Sequence, residues 1–317
     1  MKQLLIRGAV SRLRFAPSPL AELALTTMAV RTPEWHPFHT RWLADTEAGR
    51  AAVGLDRILT LVNPQRWVLD TLIRHPVRRG ASFAQEMAAL GTVPARVFRR
   101  DLEILWGQVP RELGRTDTAA RDWVLDTVQA YWDQCVAASW PAFKAVLDAD
   151  VTYRGAELAA HGVAVAVTGA SPGFLVRGDD LVMPLRRDPG WEVNADERGV
   201  TFLPTLVKWG TNCPNLPESD LVFSYRARGR GRLNHAEVDG RPGLVGILGR
   251  TRTDLLLSLE EPASSTAVAV FMGVTTTAVN QHLRALARAG LLRTSRFGRY
   301  VLYQRTSVAD DLIAASG

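Results

Sequence analysis

Between Val274 and Gly290 an apolar stripe at helical spacing has a polar face opposite it, and that segment decides what the C-terminal part of the chain can become. Val279, Leu283 and Leu286 recur at i, i+4 and i+7, so they share one side of a helix. Thr275, Thr276 and Thr277 offer hydroxyls to the first unpaired amides, and Gly290 stands where a left-handed residue would stop the helix after about four turns. With the stripe turned inward, Thr276, Thr277, Asn280, Gln281 and Arg284 look outward. Hydroxyls, amides and a guanidinium can read base edges or hold phosphates.

Beyond Gly290, Leu291 and Leu292 start an extended run that turns at Arg296, Phe297 and Gly298 and returns through Tyr300 to Tyr303, which predicts a hairpin. Arg293, Arg296 and Arg299 are expected around its tip. From Pro262 through Ala309 there is no Asp or Glu, while Arg284, Arg288, Arg293, Arg296, Arg299 and Arg305 all fall inside. A surface of one sign suits a polyanion. Upstream, Asp254 to Leu259 predicts a helix closed by Pro262, and Thr266 to Met272 a short one capped by Ser264 or Ser265 and turned at Gly273. Helix, helix, recognition helix and hairpin in that order predict a winged helix-turn-helix.

From about Leu248 to Tyr303 these residues resemble the ArsR-type transcriptional repressors. Asn280, Gln281, His282, Leu283, Arg284, Ala289, Gly290 and Leu291 stand in the places of that family's recognition segment. Gln281 replaces a basic residue there, which points to a different operator sequence. The resemblance implies an operator in double-stranded DNA and a homodimer formed through helices flanking the winged core, either the Asp254 helix or the tail from Val308 to Ala315. The expected DNA contacts are Thr275, Thr276, Thr277, Asn280, Gln281, His282, Arg284, Arg288, Arg293, Arg296 and Arg299. Many members of the family bind metal through a Cys-x-Cys before the turn. Ser264 and Thr266 occupy those places here, and hydroxyls are poor ligands for soft metals, so no metal and no cofactor is expected.

A chain of 317 residues is too long for one winged helix. The fold class expected is α+β in three parts. Residues 1–161 form a mainly helical sensing or dimerising region, and residues 162–228 an antiparallel β region packed on it. A glycine- and arginine-rich linker, 229–243, then leads into a winged helix-turn-helix, 244–317. Helices are expected at Pro19–Val30, around 51–62, 65–73, 82–90 and 94–106, from Thr118 to Ser139, and from Pro141 to about Leu147 or beyond. Leu4 to Arg14 reads as an opening strand, and VAVAV from Val163 as the first of several short strands. Basicity is concentrated at the end, since residues 241–317 hold nine arginines against five carboxylates, net +4, leaving +2 of the total +6 for the rest.

Two cysteines, Cys135 and Cys213, are too few for a disulfide framework and fit a reducing cytoplasm. The apolar run near the start is too short for a signal peptide, and no stretch is long enough for a membrane span. His36 and His39 lack carboxylate or thiol neighbours in sequence; GASPGF lacks the lysine and hydroxyl that close a phosphate-binding loop, and no GxSxG appears. Asp179 with Asp180, and Glu260 with Glu261, read as turn or surface charges. An enzyme has no support. All nine tryptophans precede residue 241, as core filler or, in the sharper reading, as the lining of a pocket for an organic effector. The function expected is a DNA-binding regulator, a repressor controlled by a non-metal effector. The alternative is a winged-helix protein-interaction module.

Overall fold

A computed structural model of the chain describes residues 3–33, 36, 39–184, 191–195, 199–207, 220–228, 241–259, 263–265, 268–269, 275–297 and 300–316. It is a mixed α/β structure with several small sheets, and it divides into two compact units, Met1–Ala227 and Arg228–Gly317.

The first unit is built round α1 (Pro19–Arg31), in which every residue from Pro19 to Val30 is buried. A helix apolar on all sides has to sit inside a core, and the hydroxyls and the carboxylate on this one each have a hydrogen bond. Ser18 caps it by accepting from the Ala21 amide at 3.0 Å; Thr26 and Thr27 donate to the carbonyls of Leu23 and Ala24; Glu22 accepts from the Leu206 amide at 3.0 Å. Around α1 lie α2 (Thr40–Asp45), α3 (Glu47–Val53), α4 (Leu55–Leu59), α5 (Phe83–Gly91), α6 (Ala95–Trp106), α7 (Asp117–Tyr131), α8 (Trp140–His161) and α9 (Val163–Ala170). A π-helical turn, Trp132–Val136, follows α7 and leaves the Cys135 carbonyl to accept from the Trp42 indole at 3.1 Å.

Several sequence expectations are corrected in this unit. The helix expected at 51–62 is broken at Gly54, whose φ is +96°, and that expected at 65–73 is only a 3-10 turn at Asp70–Leu72. The opening strand is two, β1 (Gln3–Arg7) and β2 (Leu13–Phe15), separated by Gly8 at φ +62° and a 3-10 turn. VAVAV is helical: α9 buries Ala166, Val167 and Ala170, a helical spacing, against the sheet core. Alternating valine and alanine fit either period, and tertiary packing decides.

The remaining strands are β3 (Leu175–Arg177), β4 (Asp180–Pro184), β5 (Trp191–Asn194), β6 (Val200–Thr205) and β7 (Val222–Arg226). One sheet has the order β3-β4-β1-β5 and the other β2-β6-β7. The sheets are not simply antiparallel: β1 runs parallel to β5, and β2, β6 and β7 are all parallel. β1 and β2 come from the N-terminus and pair with strands beyond residue 161, so both sides of that position share one core of Leu4, Ile6, Phe174, Phe202 and Phe223.

The second unit contains α10 (Pro242–Leu248), α11 (Arg250–Ser258), β8 (Ala263–Ser264), α12 (Thr276–Arg288), β9 (Leu292–Phe297), β10 (Tyr300–Arg305) and α13 (Ser307–Ala315). α10 lies partly where a linker was expected; of that linker, residues 229–240 lie outside the described residues. In the expected helix from Thr266 to Met272, Val268 and Ala269 are described and are helical. Leu255, Leu256, Val279, Leu283, Leu286, Leu292 and Tyr303 share one core, so α11 and α12 pack together beneath the hairpin.

Candidate nucleic-acid interface

The anchored side of α12 fixes what it presents. Val279, Leu283 and Leu286 are each at most 1% exposed. Thr275 caps the helix by accepting from the Ala278 amide at 3.3 Å. At the other end the Gly290 amide donates to Ala287, the Leu291 amide to Leu286, and Gly290 has φ +73°. That pair of bonds is a Schellman motif, with Leu291 packed back on the core, a contact that often accompanies it.

Opposite the anchored side, Thr277, Gln281, Arg284 and Arg288 are exposed, at successive spacings of four, three and four residues. These intervals bring them within one narrow stripe. Thr276 and Asn280 are half-buried on its flank, and Thr275 is exposed at the cap. His282 does not join the stripe; it is half-buried and precedes the core residue Leu283. The sequence pattern grouped it with the contacts only because it stands in the resembled segment.

The hairpin separates the arginines expected at its tip. Arg293 pairs across the ladder with Gln304, near the base, and Arg296 with Val301, nearer the tip. Three residues apart on a strand, they face opposite ways. Both are exposed, and the Arg293 guanidinium donates to Gln304 Oε1 at 2.6 and 3.1 Å. Arg299 lies outside the described residues. Arg305, counted in the basic run, is mostly buried and structural: its Nε is 2.9 Å from Asp310, its amide donates to the Leu259 carbonyl at 2.8 Å, and its guanidinium donates to Leu257. Gln304 was missed in the sequence, because its role appears only with the strand register.

Thr306 fastens hairpin to helix. Its hydroxyl donates to the Gly290 carbonyl at 2.8 Å and accepts from the Ala309 amide, and its own amide donates to Leu291. The base of the hairpin is thereby held against the turn that ends α12. Beside it, Arg293, Gln304, Arg305, Thr306, Ser307 and Asp310 line a polar cleft of about 580 Å³. β8 adds a third strand by pairing with β10.

Among the described residues no group of three or more His, Cys, Asp or Glu could hold a metal ion, and no helix is long and apolar enough to cross a membrane. Ser264 lies on β8, while Thr266 and Cys213 are outside the described residues. His36 and His39 are buried, edge to face, with His39 also against Trp42 and Phe143. Asp179 and Asp180 accept from the Ser11 and Gly8 amides. Several tryptophans serve the frame: Trp42 and Trp106 donate to the Cys135 and Thr60 carbonyls, and Trp132 stacks on Phe83 at 4.0 Å. Trp35 and Trp209 lie outside the described residues. Compared with known protein families, curated proteins and solved structures, the chain finds no match in any.

Proposed function

We propose that the second unit is an ArsR-like winged helix-turn-helix that binds duplex DNA, and that the chain is a transcription regulator acting as a cytoplasmic repressor. The observation that carries this reading is the exposed stripe of Thr277, Gln281, Arg284 and Arg288 on a helix whose other side is locked in a core. At 1.5 Å per residue the stripe is about 16 Å long, enough to follow about five base pairs in a major groove. The three-stranded sheet of β8, β10 and β9 supports the wing assignment, with Arg296 exposed on it.

One such helix reads half a site, so the operator-bound form is a homodimer. Ile247 on α10 is 73% exposed and Val308 on α13 is 60% exposed, whereas α11 sends Leu255 and Leu256 into the core. The dimer contact therefore falls to α10 and α13 rather than α11. Control comes from an organic effector acting through the first unit, because hydroxyls stand at Ser264 and Thr266 where a soft metal would need thiolates.

The test is a gel shift of the full chain on the DNA upstream of its own coding sequence, in a salt series. Two copies each neutralising about three phosphates give a slope of log K against log salt near −5. Arg284→Ala and Arg288→Ala each lower affinity for every sequence and make the slope shallower by about 1 for each phosphate no longer neutralised. No shift of any duplex at low salt would remove DNA as the partner, and affinity that ignores both salt and these substitutions would remove the α12 stripe as its surface.

A further inference from the structure

The chemistry of the exposed stripe changes along α12. Its first two members, Thr277 and Gln281, are uncharged; its last two, Arg284 and Arg288, are guanidinium groups. No acidic residue lies in the first turn, and the basic residue of the last turn is Arg288. A recognition helix of a helix-turn-helix meets base edges with its N-terminal residues. The residue type that most often reads guanine, arginine, therefore stands only in the half of this helix that is suited to phosphates.

Resting on the DNA-binding reading above, we propose that α12 reads two A·T pairs, two base-pair steps apart, in each half-site. Gln281 makes a two-point contact with adenine through its carboxamide, and the Thr277 methyl lies on a thymine methyl. The amide of glutamine gives one donor and one acceptor, which match adenine N7 and N6, while guanine offers two acceptors there. Four residues of helix advance about 6 Å, close to two base-pair steps of 3.4 Å, so the two side chains address positions two steps apart on one strand or its complement. Arg284 and Arg288, one and two turns further on, reach the backbone and fix the register without choosing the sequence. The Schellman turn at Gly290 and the Thr275 cap hold the stripe in place before DNA arrives.

The experiment is selection of bound duplexes from a random library by the full-length chain, followed by base-analogue substitution in the selected site. Expected is a half-site whose central positions are A·T. Replacing one of its adenines by 7-deazaadenine, which removes N7, weakens the wild-type chain about 5-fold or more and leaves Gln281→Ala unaffected. Uracil in place of the thymine two steps away weakens the wild type and spares Thr277→Ser, which has no methyl. The analogues alter only the DNA, so the folding of a variant cannot produce the wild-type losses. Salt-dependent binding to a selected site that carries guanine at the Gln281-dependent position, or equal analogue effects in wild type and variants, overturns this assignment and leaves DNA binding standing. Enrichment of no sequence, together with no binding to duplex DNA at low salt, overturns both.

Discussion

Glu86 is 4% exposed, yet among the described residues one of its oxygens has no partner. Oε2 accepts from the Ser18 hydroxyl at 2.7 Å and the Leu20 amide at 3.0 Å, at the start of α1, while the buried Oε1 makes no hydrogen bond. Burial pushes its carboxyl up from 4.5 to about 7, and the two hydrogen bonds pull the other way without winning. Asp101 behaves alike at about 6, raised by burial and by Asp70 against the Thr71 bonds. In the folded chain Glu86 holds a proton that the unfolded chain has released, so folding is favoured at low pH. The contribution is complete below about 4.5 and is lost as pH rises through about 7, a swing of about 3 kcal/mol. Every tryptophan precedes residue 228, so tryptophan fluorescence reports on the first unit alone. Urea unfolding followed that way should show stability falling between pH 5 and 8.5. Glu86→Gln, which cannot ionise, should remove most of that fall and leave the smaller part due to Asp101. Equal slopes in the two chains would mean that Glu86 is charged when folded.

At the scale of the element, α12 shows why some of the fold is legible in sequence. Its cap, apolar spacing and terminal glycine all agree, and each is a local rule satisfied within sixteen residues. Gly290 at φ +73° has nothing within 4 Å of an added Cβ, so Gly290→Ala tests conformation alone. It should lower the stability of the second unit by about 1 kcal/mol, visible in calorimetry as a lower melting temperature for that transition. An unchanged transition would mean that the Schellman turn does not hold α12. The same local rules fail in α9, whose valines and alanines suit both periods, and in the parallel strands, because β1 meets β5 only after nearly two hundred residues of intervening chain. No local signal carries a pairing of that separation. The candidate interface divides similarly. The outward stripe follows from helical periodicity, but the opposed faces of Arg293 and Arg296 and the Gln304 contact depend on a strand register that the sequence does not print.

At the scale of the molecule, the division at Ala227 and Arg228 has an energetic basis in the second unit. Among the described residues, the buried members of its hydrophobic core fall between Leu255 and Ala309, with Leu248, Leu312 and Ile313 packed against them. Arg241 closes the unit on itself by donating to the Ile313 carbonyl at the end of α13. Its hairpin is tied twice at its base, by Arg305 to the end of α11 and by Thr306 to the turn after α12. A segment with its own core and its own closing bonds should fold without the rest. Residues 241–317 produced alone should therefore melt in a single cooperative transition, and Leu283→Ala, which empties a wholly buried position, should cost about 2–5 kcal/mol there. Gly290→Ala should shift the fragment and the full chain by the same amount, since its effect is local to the turn. On the proposed DNA-binding reading the salt slope should also carry over, because residues 241–317 hold a net charge of +4 of their own to set against phosphates. A fragment that stays unfolded, or one that folds but binds DNA with a shallower slope than the full chain, would show that the first unit contributes either stability or charge to the interface.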